Sequence, residues 1–163
     1  MEIEQDASRL FSGTRHEAET SAGGLPASRF KVAMDQHLVW SVQSGTGYIL
    51  GFGLVIWLES GAHLHELSVR RDWTGRGIGS RLLARIVKEL ASRGHESLTL
   101  STFTDVPWNA PFYAKHGFQP IQEHEIPPAL GAIRRSEARG GLNMAYRVLM
   151  TRDFPGARAS VEQ

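Results

Sequence analysis

The stretch His63-Leu-His-Glu-Leu-Ser-Val-Arg-Arg-Asp-Trp-Thr-Gly-Arg-Gly-Ile-Gly-Ser80 decides the fold. It reads as a strand, a short basic turn and a glycine-rich loop that opens a helix. Apolar alternation carries the strand, with Leu67 and Val69 on one face and Glu66 and Ser68 on the other. Gly75, Gly77 and Gly79 remove three β-carbons where an amphipathic helix begins. A loop stripped in this way lets backbone N–H groups approach a ligand closely, and the helix N-terminus behind it adds partial positive charge. Arg70, Arg71 and Arg76 add more. The implied ligand is a phosphate or pyrophosphate.

The loop is not a P-loop, because no Gly-Lys-Ser/Thr follows at the required spacing. Nor is it a dinucleotide fingerprint, since its glycines fall at every second position. A bare glycine triplet is also compatible with a flexible helix start that binds nothing. The surrounding residues argue otherwise. Val69-x-x-x-x-x-Gly-Arg-Gly-Ile-Gly-Ser-x-Leu-Leu83 resembles the coenzyme A-binding motif of the GNAT superfamily of acyl-CoA-dependent N-acyltransferases. A second block, Asn109-Ala-Pro-Phe-Tyr113-Ala-Lys-His-Gly117-Phe118, is similar to that superfamily's later helix–strand junction. The blocks stand in family order, and the resemblance covers residues 30 to 154.

The chain has 163 residues, which suits one domain over 1–154 with a substantial core. Residues 1–28 read as an irregular or partly disordered start, because Gly13, Gly23, Gly24 and Pro26 interrupt any periodicity. Residues 155–163 read as a loose tail. A net charge of +1 gives no bulk attraction to nucleic acid or membrane, so neither partner is expected. With 0 cysteines, disulfides, thiolate metal sites and a cysteine acyl-enzyme are excluded. The longest apolar run, Tyr48 to Leu58, is too short to span a bilayer, and the acidic start is no signal peptide, which fits a cytoplasmic protein.

Leu38 to Val42 favour a strand, and Tyr48 to Trp57 return as a nearly continuous apolar strand buried on both faces. Gly51 and Gly53 within it imply a bulge or a close backbone approach. With the organising strand these make an antiparallel meander. Ile78, Leu82, Leu83, Ile86, Val87 and Leu90 form the clearest helical stripe, stopped at Gly94. A strand over Ser97–Phe103 follows, then a short helix ending near Gly117 and a strand from Phe118. A helix runs from Pro127-Pro128 to Arg139, and a last strand covers Ala145–Thr151. The class is α+β: a central mixed sheet of about six to seven strands flanked by helices. The resemblance implies that one parallel pair is splayed. It also implies a strand before the first helix, and none is convincing before Leu10.

The resemblance implies acyl transfer, usually acetyl, from acyl-CoA to an amine. It places the pyrophosphate on the loop residues Thr74, Gly75, Arg76, Gly77, Ile78, Gly79 and Ser80, and the pantetheine arm against Leu67 and Val69. The family usually has Arg or Gln where this chain has Thr74, which weakens phosphate binding without abolishing it. Asn109 matches a coenzyme contact, and it is equally a good helix N-cap. Tyr113 matches the tyrosine that protonates the departing thiolate, while Phe112 and Tyr113 would otherwise be core aromatics.

An amine with pKa of roughly 10 must lose a proton before attack, and histidine is the natural base near neutrality. His63 and His65 lie two apart on one strand and share a face. Ala62-His-Leu-His-x-Leu-x-Val resembles the arylalkylamine N-acetyltransferases, whose matching histidines are linked to proton removal. This assigns His65 as base or water relay, His63 as its partner, and Glu66 as second choice. The plainer reading is a pair of hydrogen-bonded structural histidines. His-x-His also suits a metal, but no third ligand lies at short range, so no metal is expected.

The resulting expectation is an acetyl-CoA-dependent N-acetyltransferase of a small amine, acting by direct attack in a ternary complex and compatible with a homodimer. The alternatives are a peptide-amine acetyltransferase, a non-catalytic acyl-CoA-binding module, and a phosphate-binding regulator.

Overall fold

A computed structural model describes residues 2–20 and 27–154. The expected tail at 155–163 lies outside the described residues. The order is α1 (Glu2–Ser8), α2 (Glu17–Thr20), α3 (Ala27–Asp35), β1 (Val39–Gln43), β2 (Ile49–Leu58), β3 (Gly61–Val69) and α4 (Ile78–Ser92). Then come β4 (Ser97–Phe103), α5 (Ala110–Lys115), β5 (Gln119–Pro120), α6 (Pro128–Arg139) and β6 (Arg147–Asp153). The strands form one mixed sheet of 6 strands in the order β1-β2-β3-β4-β6-β5, flanked by helices. The α+β expectation holds, including the parallel pair, which is β3 with β4.

Three elements differ from expectation. Residues 2–20 are largely helical rather than irregular, and among the described residues no strand precedes β1. Glu2 and Glu4 sit in the first turn of α1, where carboxylates favour a helix N-terminus, and Ile3 is buried. The strand from Phe118 shrinks to Gln119–Pro120. The last strand starts at Arg147, because Met144–Tyr146 form a 3-10 turn that Asn143 caps through its side chain.

Two compact units interleave along the chain. One is built from the chain up to Ile56 and from His65–Ile86; the other is built from Trp57–Leu64 and the chain from Val87 onward. In the first, β1 pairs antiparallel with β2, and the register slips between Val42 and Gln43, which face Gly51 and Ile49. Leu50 to Val55 are all buried, as an unbroken apolar strand requires. Leu50, Ile78 and Leu82 form a cluster against which Trp40, Val42, Leu67, Val69 and Trp73 pack. The glycine loop is thus anchored by apolar residues immediately before and after it.

In the second unit β4 pairs antiparallel with β6 along its whole length, from Ser97↔Asp153 to Phe103↔Arg147. Helix α6 is tied to these strands by Glu137, which accepts from Ser101 Oγ at 2.8 Å and from Arg147 at 2.5 Å. The Arg147 guanidinium also lies over the Phe103 ring, 4.6 Å from its centroid. Both partners of this ion pair are partly shielded from water, so losing either one alone would leave a partly buried charge uncompensated.

The two strand glycines are explained by close approach. A β-carbon on Gly51 would stand 2.8 Å from the Ser68 carbonyl oxygen and 3.3 Å from the Val69 Cα, both backbone atoms that cannot step aside. On Gly53 it would meet the Ile86 Cδ1 at 2.5 Å, the far end of a side chain that can rotate. Gly51→Ala is therefore expected to lower stability by about 1–3 kcal/mol, as overpacking does, and Gly53→Ala by less. Urea unfolding of the two variants measures the difference, and equal losses would contradict the backbone explanation.

Candidate functional site

The loop leaves β3 through Arg70, makes a 3-10 turn over Arg71–Trp73, and enters α4 at Ile78. Gly75 and Gly77 have φ of +72° and +76°, a region that side chains rarely adopt. Nothing lies within 4 Å of where a β-carbon would stand on either, so these glycines face open space. Thr74, Gly75, Arg76 and Gly77 are exposed, Ile78 is buried, and Gly79 and Ser80 are half-buried in the first turn of α4. Open backbone at the start of a 15-residue helix is an arrangement suited to an anion.

The side chains around the loop divide into engaged and available. Arg70 is engaged: its Nε donates to the Ile49 carbonyl at 2.9 Å and its guanidinium lies 4.2 Å from the Tyr48 ring centroid. Glu2 of α1 stands 3.6 Å from the same guanidinium. Asp6 of α1 accepts the Arg71 backbone N–H at 2.8 Å. Thr74, at the position where Arg or Gln is usual, turns its hydroxyl back to the Arg71 carbonyl at 2.8 Å and so closes the 3-10 turn. Arg76 is exposed and lies over the Trp73 ring at 4.7 Å. Of the three arginines read as the charge of the loop, Arg70 serves chiefly as a structural clamp.

The histidines share a strand but not an environment. His63 is 2 % exposed, and its Nδ1 lies 3.0 Å from Thr99 Oγ1. His63 and Thr99 are register partners in the parallel pairing, which runs Ala62↔Leu98, His63↔Thr99 and Leu64↔Leu100. The paired stretch ends there, while β3 runs on through Val69 and β4 to Phe103. His65 is exposed. Glu66 is half-buried and accepts a short hydrogen bond from the hydroxyl of buried Ser68. Thr99 and Ser68 escape sequence reasoning: only the strand register brings Thr99 to His63, and a serine in an alternating strand carries no signal of burial.

Asn109 and Tyr113 flank one helical turn, joined by Tyr113 N–H donating to the Asn109 carbonyl at 3.0 Å. Asn109 stands at the N-cap position of α5, and its side chain makes no capping hydrogen bond there. Helix α5 stops at Gly117, φ +82°, with Gly117 N–H bonded to Ala114 and Phe118 N–H to Tyr113. That stop buries Phe118 beneath Tyr113, the rings 5.7 Å apart and edge to face. Tyr113 is half-buried, and the Phe112 ring stands edge to face with it at 5.2 Å.

Residues 33–120 match the family model of the GNAT acetyltransferase domain. The chain belongs to the GNAT acetyltransferase family. The matched span contains the glycine loop, both histidines and the Asn109–Phe118 block. Among solved structures, a GNAT-family acetyltransferase from Staphylococcus aureus Mu50 superposes with a TM-score of 0.62 at 14% identity, covering 93% of this chain and 91% of that one. The PaiA N-acetyltransferase from Thermoplasma acidophilum in complex with coenzyme A gives 0.64 at 16% identity, covering 94% and 89%. The ribosomal-protein-S18-alanine N-acetyltransferase from Escherichia coli gives 0.60 at 18% identity, covering 99% and 90%. At these identities the likeness is one of fold.

His116, at the C-terminus of α5, has its pKa lowered from 6.5, first by burial and then by the charge of Arg152, which donates to the His116 carbonyl at 2.9 Å. Folded His116 therefore binds fewer protons than the unfolded chain in the window below pH 6.5, and stability is lost as pH falls through it. His116→Gln is expected to reduce the difference in unfolding free energy between about pH 5 and pH 7.5. Urea titrations at both values check this, and an undiminished difference would assign the effect to other groups.

Proposed function

We propose that this protein is an acetyl-CoA-dependent N-acetyltransferase of a small primary amine, working by direct transfer in a ternary complex. The observation that carries the reading is the open loop: Gly75 and Gly77 at positive φ, facing free space at the head of α4, inside the matched GNAT span. Backbone N–H groups from Gly75 to Ser80 hold the diphosphate. The thioester arm lies along Leu67 and Val69, past the end of the paired register of β3. Structural neighbours with coenzyme A or acetyl coenzyme A bound support this choice of ligand.

The chemistry follows from the acceptor. A neutral amine nitrogen attacks the thioester carbonyl, a C–N bond forms and the C–S bond breaks. The departing thiolate takes the phenolic proton of Tyr113, and the proton of the amine passes to the His65–His63 pair, with Glu66 as the second candidate. Without cysteine, no thioester forms on the protein.

Acetyl-CoA at millimolar concentration is expected to raise the melting temperature, since a ligand that binds only the folded state stabilises it in proportion to RT ln(1 + [L]/Kd). A panel of amines, followed by release of free thiol, then identifies the acceptor. Tyr113→Phe should lower kcat by about 10²- to 10⁴-fold, the range of a general acid, with little change in KM for acetyl-CoA. Thermal stabilisation without thiol release from any amine would point to a non-catalytic acyl-CoA-binding module. No stabilisation by coenzyme, but stabilisation by nucleotides, would point to a phosphate-binding regulator.

A further inference from the structure

Helix α1 reaches the start of the glycine loop with two carboxylates. Glu2 and Asp6 lie one turn apart on the same side of the helix, and they meet consecutive residues of the chain. Glu2 stands 3.6 Å from the Arg70 guanidinium, and Asp6 Oδ2 accepts the Arg71 backbone N–H at 2.8 Å across a sequence separation of 65. The other Asp6 oxygen lies 3.7 Å from Arg9. Arg71 opens the 3-10 turn Arg71–Trp73, and the first N–H groups of a helical turn have no partner inside it. Arg70, at the N-cap position, makes no side-chain cap, and a guanidinium has only donors to offer. Asp6 is therefore a cap supplied by a distant helix. The end of the turn closes on itself, with Trp73 N–H donating to the Arg70 carbonyl at 2.9 Å and Thr74 N–H to the Arg71 carbonyl at 3.2 Å.

The sign of the charge makes this contact informative. Carboxylates beside the loop offset its arginines and oppose an anion, so a benefit to a diphosphate has to be geometric. Gly75 and Gly77 have φ of +72° and +76° with nothing packed where their side chains would be, so the middle of the loop does little to fix its own course. Its two ends set that course. Buried Ile78 and Leu82 hold the far end, and the Arg70 clamp and the Asp6 cap hold the near end. We propose that Asp6 is a positioning residue for the coenzyme. By capping the Arg71–Trp73 turn it keeps the loop in the conformation whose N–H groups meet the diphosphate, which leaves less ordering to be done on binding. The role toward coenzyme rests on the acetyl-CoA reading; the cap itself does not. All the residues involved belong to the first unit.

Two substitutions separate geometry from charge. Asp6→Ala removes both the acceptor and the charge, whereas Asp6→Asn removes the charge and keeps an acceptor oxygen. A role through charge alone predicts tighter coenzyme binding in both variants. The positioning role predicts the opposite sign for Asp6→Ala: isothermal titration with coenzyme A should show Kd raised about tenfold, with Asp6→Asn within about twofold of wild type. With an amine that the protein acetylates, KM for acetyl-CoA should rise alongside Kd while kcat holds, whereas a general loss of structure would lower kcat as well. Amide hydrogen exchange followed by NMR should find the Arg71 N–H protected in wild type and in Asp6→Asn, and fast in Asp6→Ala. Coenzyme binding by Asp6→Ala as tight as wild type or tighter, or by Asp6→Asn as weak as Asp6→Ala, overturns the proposal. Should Asp6→Ala fail to fold, tighter binding by Asp6→Asn or an unprotected Arg71 N–H in wild type overturns it instead. If wild type binds no coenzyme A, the positioning role falls with the acetyl-CoA reading, and protection of the Arg71 N–H leaves the cap standing alone.

Discussion

The parallel pairing of β3 with β4, three residues long, is the constraint on which the rest of this structure depends. Parallel neighbours need a crossover, and here α4 supplies it; its apolar stripe buries Ile78, Leu82, Leu83, Ile86, Val87 and Leu90. The pairing joins residues 36 apart for His63 and Thr99, so it is made at a loop-closure cost that a helix of this strength offsets by stiffening the connection. Because the register stops at Leu64↔Leu100, β3 serves two purposes along its length. Its first half is paired with β4, and its second half carries Leu67 and Val69 into the cluster that supports the glycine loop.

The close approach at Gly51 belongs to the same constraint. The Ser68 carbonyl stands where a side chain on Gly51 would be, so β2 holds the second half of β3 from one side at backbone range. Arg70 adds a polar clamp, donating to the Ile49 carbonyl from the residue just past β3. Together the clamp, the absent β-carbon and the cluster of Leu50, Ile78 and Leu82 define where the loop starts and ends. The loop itself is left open, with glycines in a conformation that only glycine adopts freely.

What the sequence made legible is whatever depends on local period and punctuation. The α4 stripe, the Ser97–Phe103 strand, the Pro-initiated α6 and the glycine stops at Gly94 and Gly117 are written in neighbouring residues, and the structure has them. The buried double face of β2 and the reason for Gly51 could be anticipated for the same reason. What could not be read is register. No local signal says that Thr99, rather than Thr102 or Ser101, stands opposite His63, or that Ser68 is buried with its hydroxyl on Glu66. The N-terminal helices are not legible locally because their anchors are distant: Asp6 finds the Arg71 N–H, and Glu2 finds Arg70, across most of the first unit's sequence. The histidine pair shows the limit most sharply, since strand alternation gives both residues one face and says nothing of their unequal burial.

The position of Thr74 shows how the site's electrostatics are shared out. A cation at that point would add charge to the loop, yet the chain uses the position to close the Arg71–Trp73 turn with a hydroxyl. Arg70 is already occupied by a carbonyl, an aromatic face and a carboxylate, and the Arg71 N–H by Asp6. The attraction left for an anion therefore comes mainly from oriented N–H groups at the head of α4, with exposed Arg76 as the adjacent side-chain charge. Fixed backbone dipoles are placed by the fold and need no side-chain ordering on binding, whereas a long flexible cation loses rotamer freedom to do the same work. In a protein with net charge +1, that arrangement would suit a local anion without making the whole surface basic.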